Sequence, residues 1–244
     1  MRNLLLTICF DGTNYHGWQV QENAITVQRV LQDSLEQIIQ KRENITGCSR
    51  TDAGVHANMY CCNIRTEHNI DCKKLVSALN AILPDDIGVI DCKEVPYEFH
   101  ARYDCVSKEY VYKIWNSAEK NPFLYKYSLQ YKYPIDEKML NAEAKDYIGK
   151  FDYKAFCSAG SSVEDTVRAV KNASVDREGN LVTFRVEGNG FLYNMVRIMV
   201  GTLLDISSGK IPQGKIPEII ASGDRNLAGF TAKPEGLFLN KIIY

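Results

Sequence analysis

The stretch GCSRTDAGVHA, residues 47–57, places one carboxylate, Asp52, two residues after Arg50 and four residues before His56. Gly54, within this stretch, lets the backbone turn tightly or approach a ligand closely. A neighbouring guanidinium favours the ionised form of a carboxylate. However, an aspartate near glycine most often accepts backbone N–H bonds in a turn. Residue chemistry alone therefore leaves Asp52 open between a structural turn and a nucleophile or base.

Outward from this stretch, apolar periodicity predicts a chain of mixed α and β structure. Thr26 is a candidate cap for the first helix, and Pro84 stops the second. Two α+β domains, residues 1–104 and 105–244, fit this order best. The predicted strands are 4–10, 59–64, 87–95, 109–115, 181–187 and 241–244; the predicted helices run from 27 to 38, 71 to 83, 136 to 148, 191 to 207 and 212 to 222.

The composition excludes several classes of protein. With 29 basic and 30 acidic residues the net charge is −1, so a polyanionic partner requires a local basic patch. Eight cysteines without a C-x-x-C pair, and only four histidines, argue against a zinc site and a disulfide framework. The N-terminus lacks the pattern of a signal peptide, and no apolar run reaches about 18 residues. We expect a cytoplasmic protein with reduced thiols, no bound metal and no membrane span.

Residues 99–132 combine six basic with three acidic residues and contain nine aromatic residues. Interleaved cationic and aromatic side chains suit single-stranded or flipped nucleotides. The alternative is a β-sheet with a solvated lysine face and its tyrosines in the core. For most of these residues we favour the core interpretation, with Arg102 and Tyr110 as the exceptions.

A narrow polar stripe crosses the apolar segment 188–206, because Asn194, Arg197, Gly201 and Asp205 are spaced three, four and four residues apart. A buried arginine needs a partner, since an unpaired buried charge is very costly. Asp205 lies two turns away from Arg197, so an acid from elsewhere is the better partner. Asp52 is our candidate. The alternative is that Arg197 extends to solvent along its aliphatic stem.

Six motifs in order give the chain a close resemblance to the tRNA pseudouridine synthase A family. They are FDGTNYHGWQ at 10–19, RTDAGVHA at 50–57, FHAR at 99–102, YVY at 110–112, FLYNMVR at 191–197 and GLFL at 236–239. We interpret the histidine of the second motif, His56, as a hydrogen-bonding residue of the structure, and Trp18 of the first as a packing residue.

The resemblance implies an enzyme that isomerises uridines 38, 39 and 40 of the tRNA anticodon stem-loop, without cofactor or metal, as a homodimer that binds RNA across both subunits. It implies two α+β domains around a largely antiparallel mixed sheet with a central cleft. Asp52 aligns with the catalytic aspartate, Tyr110 with the active-site tyrosine and Arg197 with the arginine that pairs with the aspartate. The aligned RNA-contacting positions are Arg50, Phe99, His100, Ala101, Arg102 and Tyr103.

This chemistry explains why a solitary acid is placed in such a loop. The reactive atoms of a stacked uridine are reached only after the base is turned out of the helix. Arg50 or Arg102 would fill the gap that the base leaves. Ionised Asp52 would then add to the sugar, add to the base, or remove a proton from the sugar, and the sequence leaves these three routes open.

Two other functions remain as alternatives. The TDAG stretch loosely resembles an aspartic hydrolase loop, but that chemistry needs a second acid of the same kind, and the sequence holds no second copy. A non-catalytic tRNA-binding protein on the same fold would bind the anticodon arm without isomerising it. The presence of Asp52, Tyr110 and Arg197 together argues for the enzyme.

Overall fold

The computed structural model describes residues 1–160 and 163–244, which form two compact units. Unit 1 consists of Met1–Val106 together with Phe238–Tyr244, and unit 2 of Ser107–Leu237. Both units combine helices with a sheet, which confirms the predicted α+β class. Among the described residues, no helix is both long and apolar enough to cross a membrane.

The elements are numbered in chain order. The strands are β1 (Arg2–Phe10), β2 (Ile45–Gly47), β3 (His56–Thr66), β4 (Ile87–Val95), β5 (Ser107–Trp115), β6 (Leu129–Gln130), β7 (Gly149–Asp152), β8 (Val167–Glu178), β9 (Leu181–Gly188) and β10 (Leu237–Ile243). The helices are α1 (Val27–Ile39), α2 (Cys72–Ile82), α3 (Glu137–Lys145), α4 (Met195–Ser207) and α5 (Ile216–Ser222).

In unit 1, the strands are arranged in the order β4-β1-β3-β10, and β2 pairs with β3. β1 is antiparallel to both β3 and β4, whereas β10 runs parallel to β3 through the pairs Phe238 with His56 and Leu239 with Ala57. The C-terminal strand therefore returns to the first unit, directly beside the residues that follow the Asp52 loop.

Side-chain caps fix where the helices of unit 1 begin. The hydroxyl of Thr26 accepts a hydrogen bond from the N–H of Arg29 at 3.4 Å at the start of α1. Asp71 accepts from the N–H groups of Lys73 and Lys74 at 3.0 and 3.1 Å at the start of α2. These bonds satisfy donors that have no partner within a helix. The Thr26 cap stands where the sequence predicts it, whereas Asp71, predicted as the first residue of its helix, is the cap that precedes it.

In unit 2, the strand order is β5-β9-β8-β7, with β6 parallel to β5. The other pairings in this unit are antiparallel, and they place Tyr110 opposite Val186 and Tyr112 opposite Phe184. Helix α4 is buried from Met195 to Ile206 apart from Arg197. A helix that is apolar on nearly every side belongs in the interior, and α4 is the central helix of this unit.

Several elements differ from the prediction. The short strands β2, β6 and β7 were not predicted, α3 ends at Lys145 instead of residue 148, and α5 begins at Ile216 instead of residue 212. Strand β8 was not predicted, because a register shift between Val170 and Asn172 interrupts its alternation of apolar and polar residues. The last long helix begins at Met195 instead of residue 191, because Asn194 adopts a left-handed conformation with φ of 60°. An α-helix cannot extend backwards through such a residue. Residues 191–194 form a turn that joins β9 to α4.

We expect Asp71→Ala to lower the free energy of unfolding by about 1 kcal/mol, because it removes a cap from an exposed position without creating a cavity. Urea denaturation followed by circular dichroism measures this change. Asp71→Asn keeps an acceptor in the same place and should stay within a few tenths of a kcal/mol of wild type. Equal losses in both variants would show that the cap does not carry the effect.

Candidate active site

Asp52 opens a tight turn between β2 and β3 in unit 1. The N–H of Val55 donates to the carbonyl oxygen of Asp52 at 3.2 Å, and Gly54 has a φ of 76°. A left-handed glycine at the third position of a hydrogen-bonded turn is the requirement of a type II turn. The side chain of Asp52 is half-buried at the start of this turn. The glycine is thus explained by backbone conformation.

The residues that follow β1 hold the Asp52 turn from the other side. A Cβ atom on Gly12 would lie 1.9 Å from the carbonyl oxygen of Val55, and one on Gly17 would lie 2.2 Å from that of Thr51. The N–H of Trp18 donates to the Thr51 carbonyl at 3.3 Å. Only glycine permits so close a backbone approach. The motifs at 10–19 and 50–57 are therefore two halves of one packed structure.

Aromatic packing stabilises the contact between the motifs at 10–19 and 50–57. Trp18 is buried and stacks on Tyr60 with ring centroids 4.1 Å apart, and the Tyr60 hydroxyl donates to the Ser49 carbonyl. The prediction that Trp18 packs is confirmed. Tyr15, also buried, donates its hydroxyl to Asp86, and burial together with that carboxylate raises the pKa of Tyr15. Tyr15 is therefore a neutral hydrogen-bond donor.

His56 serves the structure. Its ring is 1% exposed and stacks on Phe238 at 4.6 Å. Nδ1 accepts a hydrogen bond from the N–H of Gly12 at 3.0 Å. The Asp11 carboxylate lies 3.1 Å from Nδ1 but accepts from the N–H of Thr13 at 2.9 Å. The Gly12 bond and the stacking on Phe238 support the interpretation of His56 as a structural hydrogen-bonding residue.

Arg50 is exposed and forms no ion pair with any residue in the described ranges 1–160 and 163–244. It therefore does not hold Asp52 in its ionised form through an ion pair, as its position in the sequence had suggested. Its guanidinium lies at the surface, two residues before the acid.

The FHAR stretch forms a compact turn anchored on two buried asparagines. Asn63 accepts from the N–H of Ala101 at 2.9 Å and donates to the side chain of Asn3 at 2.9 Å. Asn3 in turn donates to the Phe99 carbonyl at 2.8 Å. Ala101 is fully buried, and the Tyr244 hydroxyl donates to its carbonyl at 2.9 Å. Ala101 is thus the anchor of the turn.

The anchored turn presents two side chains to the surface. Nδ1 of His100 accepts from the N–H groups of Arg102 and Tyr103 at 3.2 and 3.3 Å. Tyr103 is 75% exposed, and the Arg102 guanidinium carbon lies 5.9 Å from the centre of its ring. A cation beside an exposed aromatic ring is a surface on which a nucleobase can stack.

In unit 2, Tyr110 lies on β5 with 6% of its surface exposed. Its ring meets that of Phe191 edge-on, with centroids 5.1 Å apart and planes at 81°. Phe191 belongs to the turn between β9 and α4, the same turn that ends at Asn194. Tyr110 is therefore held beside the segment that carries Arg197.

Two acceptors orient the guanidinium of Arg197. Its Nε donates to the carbonyl of Ala232 at 2.6 Å, and its Nη1 donates to the side-chain oxygen of Asn194 at 2.7 Å. Asn194 is itself fixed, because its amide donates to the Ser158 hydroxyl at 2.9 Å. The predicted site set omitted Asn194, although its spacing of three residues from Arg197 on one helix face was the available signal.

The rest of the polar stripe on α4 packs against the segment 229–232. A Cβ on Gly201 would lie 1.7 Å from the Phe230 carbonyl oxygen. The Asp205 carboxylate accepts from the N–H of Phe230 at 3.3 Å and from Lys210 Nζ at 3.1 Å. The stripe is thus a docking surface for backbone, and it places the Ala232 carbonyl against Arg197.

We expect Gly12→Ala to lower the free energy of unfolding by about 1–3 kcal/mol, because its methyl group meets the Val55 carbonyl, which cannot move without distorting the Asp52 turn. Gly190→Ala is the matched control, since its nearest neighbour is the flexible side chain of Arg168 at 3.6 Å. Thermal denaturation compares the two. Equal stability of both variants would show that the close approach of Gly12 is not required.

The comparisons with known proteins agree with these motifs. The model of a family described as tRNA pseudouridine synthase matches residues 7–104 and 144–244. Over 244 residues, and 100% of both chains, the sequence is 44% identical to tRNA pseudouridine synthase A of Thermoanaerobacter sp. strain X514. It is 41% identical to tRNA pseudouridine synthase A of Caldicellulosiruptor bescii, again over 100% of both chains.

A solved structure of a Cbf5-Nop10-Gar1 complex also resembles the chain, with a TM-score of 0.40 and 13% identity over 96% of this chain and 57% of that one. A similarity of that size carries no argument about function.

Proposed function

The chain belongs to the tRNA pseudouridine synthase family, and from that premise we propose that it acts on uridines 38, 39 and 40 of the tRNA anticodon stem-loop. Membership makes it an isomerase that converts uridine in tRNA into pseudouridine. The observation that carries the proposal is the full-length identity of 44% to tRNA pseudouridine synthase A. The six ordered motifs of the sequence agree with it.

The proposed reaction breaks the N1–C1′ bond, rotates the detached uracil and joins C5 to C1′. A proton leaves C5 and N1 gains one, so no atoms are gained or lost overall. The target base must first leave its stack, at a cost of a few kcal/mol. A closed pocket then keeps the uracil oriented until it rejoins the sugar.

We propose Asp52 as the catalytic residue. Its carboxylate acts as a nucleophile toward the sugar or the base, or as the base that removes a sugar proton. Each route requires an ionised carboxylate that is held in one direction. The turn at Asp52–Val55 and the glycine contacts of residues 12 and 17 support the second requirement, because they fix the backbone on both sides of the acid.

We propose that Arg197 from the C-terminal domain pairs with Asp52 from the N-terminal domain and keeps it ionised. A charge-assisted pair of this kind is about twice as strong as a neutral hydrogen bond. The bonds from Arg197 to Ala232 and Asn194 support this role, since they orient the guanidinium before any substrate binds. Tyr110, which is 6% exposed in the absence of substrate, is the proposed substrate-binding partner; its ring would stack on uracil and its hydroxyl would lie near the proton that leaves C5.

The proposed RNA contacts are Arg50, Phe99, His100, Ala101, Arg102 and Tyr103. Exposure of Arg50, Arg102 and Tyr103 supports direct contact. Ala101 would act through the turn that it anchors, because its own surface is buried. One of the two exposed arginines would occupy the gap left by the extruded base.

We propose further that the protein acts as a homodimer with RNA bound across both subunits. Light scattering on the purified protein measures its mass against the 27.7 kDa of one chain. A mass of one chain at micromolar concentration would contradict the dimer without affecting the assignment of the reaction.

Mapping pseudouridine in unmodified tRNA before and after incubation with the purified protein tests the function. Pseudouridine at positions 38 to 40 supports the proposal. Bound but unmodified tRNA would identify a tRNA-binding protein without activity. Modification at other positions would contradict the proposed site choice.

We expect Asp52→Asn to abolish pseudouridine formation, because an amide can neither attack nor remove a proton, while tRNA binding stays within about tenfold of wild type. Release of tritium from tRNA labelled at uracil C5 measures turnover, and filter binding measures affinity. Substantial turnover by this variant would refute the assignment of Asp52.

We expect Arg197→Ala to lose activity and to unfold at a lower temperature, since it leaves the Ala232 carbonyl and the Asn194 side chain without their donor. Arg197→Lys keeps the positive charge but cannot reproduce the two-nitrogen geometry of a guanidinium. We therefore expect an unfolding temperature between those of the wild type and Arg197→Ala, and low activity. Wild-type melting and wild-type tritium release in Arg197→Ala would show that the proposed pair is absent.

A further inference from the structure

Residues 115–133 of unit 2, the 115–133 surface, expose large aromatic side chains. Phe123 is 85% exposed, Tyr125 66% and Tyr133 57%. The sequence-based expectation that most aromatics of residues 99–132 lie in the core is correct for Tyr112 and wrong for Phe123 and Tyr125, and Tyr110, which was excepted from it, is buried as well. Several large apolar side chains exposed within one short segment point to a site of interaction. The segment also lies outside the residues matched by the family model, 7–104 and 144–244.

The surface is held in place by hydrogen bonds to its own backbone. The side chain of Asn116 donates to the carbonyls of Tyr131 and Tyr133 at 2.9 and 2.7 Å. The indole of Trp115 donates to the Glu119 carbonyl at 2.9 Å. Because these bonds fix both ends of the segment, the aromatic rings project from an ordered scaffold. Preorganisation of this type lowers the entropic cost of binding.

A cavity of about 460 Å³ opens within this surface. Its lining includes Trp115, Pro122 and Tyr125 as flat apolar groups and Lys120 as a cation, together with Lys233, whose Nζ lies 3.8 Å from the carboxylate of Glu235, which also lines the cavity. Its volume lies in the range that accepts drug-sized ligands, a size class that includes a nucleotide.

The charge of the surface differs from that of the whole chain. Three lysines, Lys120, Lys126 and Lys132, stand against one acid, Glu119, in residues 115–133, whereas the chain as a whole has a net charge of −1. Lys126 Nζ lies 5.7 Å from the centre of the Tyr125 ring, and Lys132 Nζ lies 5.3 Å from that of Tyr133. Two of the three lysines therefore stand beside a ring.

This pairing favours RNA over a protein partner. Protein interfaces are enriched in aromatic residues but depleted in lysine. Surfaces for unpaired nucleotides combine rings that stack on bases with cations that meet phosphates. Tyr110 precedes Trp115 by five residues on β5, a distance of about 17 Å along a strand, so one nucleotide cannot occupy both places.

We propose that the 115–133 surface binds an unpaired nucleotide of the tRNA other than the reacting uridine, with its base against Tyr125 and Phe123 and its phosphates near Lys120 and Lys126. The inference rests on the proposed function, because it takes tRNA as the substrate. It assigns to this surface a role in substrate affinity and leaves the chemical step to other residues.

The test compares steady-state kinetics on tritiated, unmodified tRNA. We expect Phe123→Ala and Tyr125→Ala each to raise KM about tenfold with kcat within twofold, and Tyr125→Phe to restore KM because its ring still stacks. Lys126→Ala should lower the slope of log KM against log salt concentration by about one. Phe151→Ala, another exposed aromatic residue of unit 2, and Lys138→Ala on α3 are the matched controls and should behave as wild type.

Wild-type KM and salt slope in Phe123→Ala, Tyr125→Ala and Lys126→Ala would overturn the inference while the proposed function stands. If a variant differs from the wild type in molecular mass by light scattering while its affinity for tRNA is unchanged, the inference also fails, and the surface is then a protein interface. If the wild type forms no pseudouridine, the proposed function fails, and filter binding of tRNA then decides whether the 115–133 surface binds RNA. A tenfold loss of tRNA affinity in Tyr125→Ala still supports that role of the surface, and unchanged affinity rejects it. Melting temperatures confirm that each variant is folded.

Discussion

The close backbone contact between residues 12–17 and the Asp52 turn is the constraint on which unit 1 depends. Gly12 and Gly17 bring their chain to distances at which a Cβ would lie 1.9 and 2.2 Å from the carbonyls of Val55 and Thr51. The contact fixes carbonyl groups on either side of the acid, so the Asp52 backbone has little freedom. The buried imidazole of His56 reinforces it by accepting the N–H of Gly12 at 3.0 Å.

In unit 2, a close backbone contact at a glycine likewise positions Arg197. Gly201 on α4 admits the Phe230 carbonyl to a distance where a Cβ would lie at 1.7 Å, and the chain that follows delivers the Ala232 carbonyl to Arg197 Nε. The Arg197 guanidinium is thus held by the Ala232 carbonyl and by the side chain of Asn194, and packing fixes the positions of both acceptors. In each unit, a glycine without a side chain determines where a charged side chain stands.

Neutral hydroxyls complete this framework. Burial and the nearby Glu235 raise the pKa of Tyr112, whose hydroxyl donates to the Lys233 carbonyl at 2.7 Å. Because Tyr15 and Tyr112 remain protonated at physiological pH, their hydrogen bonds do not titrate where the enzyme works. With a net charge of −1, attraction to RNA must come from local groups, for which we propose Arg102 and the lysines of the 115–133 surface.

The sequence by itself determined the features that depend on neighbours along the chain. The cap at Thr26 and the polar stripe of residues 194–205 follow from local periodicity and side-chain chemistry, and the six ordered motifs, including the one around Asp52, carry the resemblance to the family. Tertiary structure decided the rest. It placed β10 parallel to β3, buried Ala101 as an anchor, and left Phe123 and Tyr125 exposed. These outcomes depend on contacts between residues far apart in sequence. The hydrophobic pattern of a sequence indicates which residue types tend to be buried, but it does not indicate which distant segment covers them.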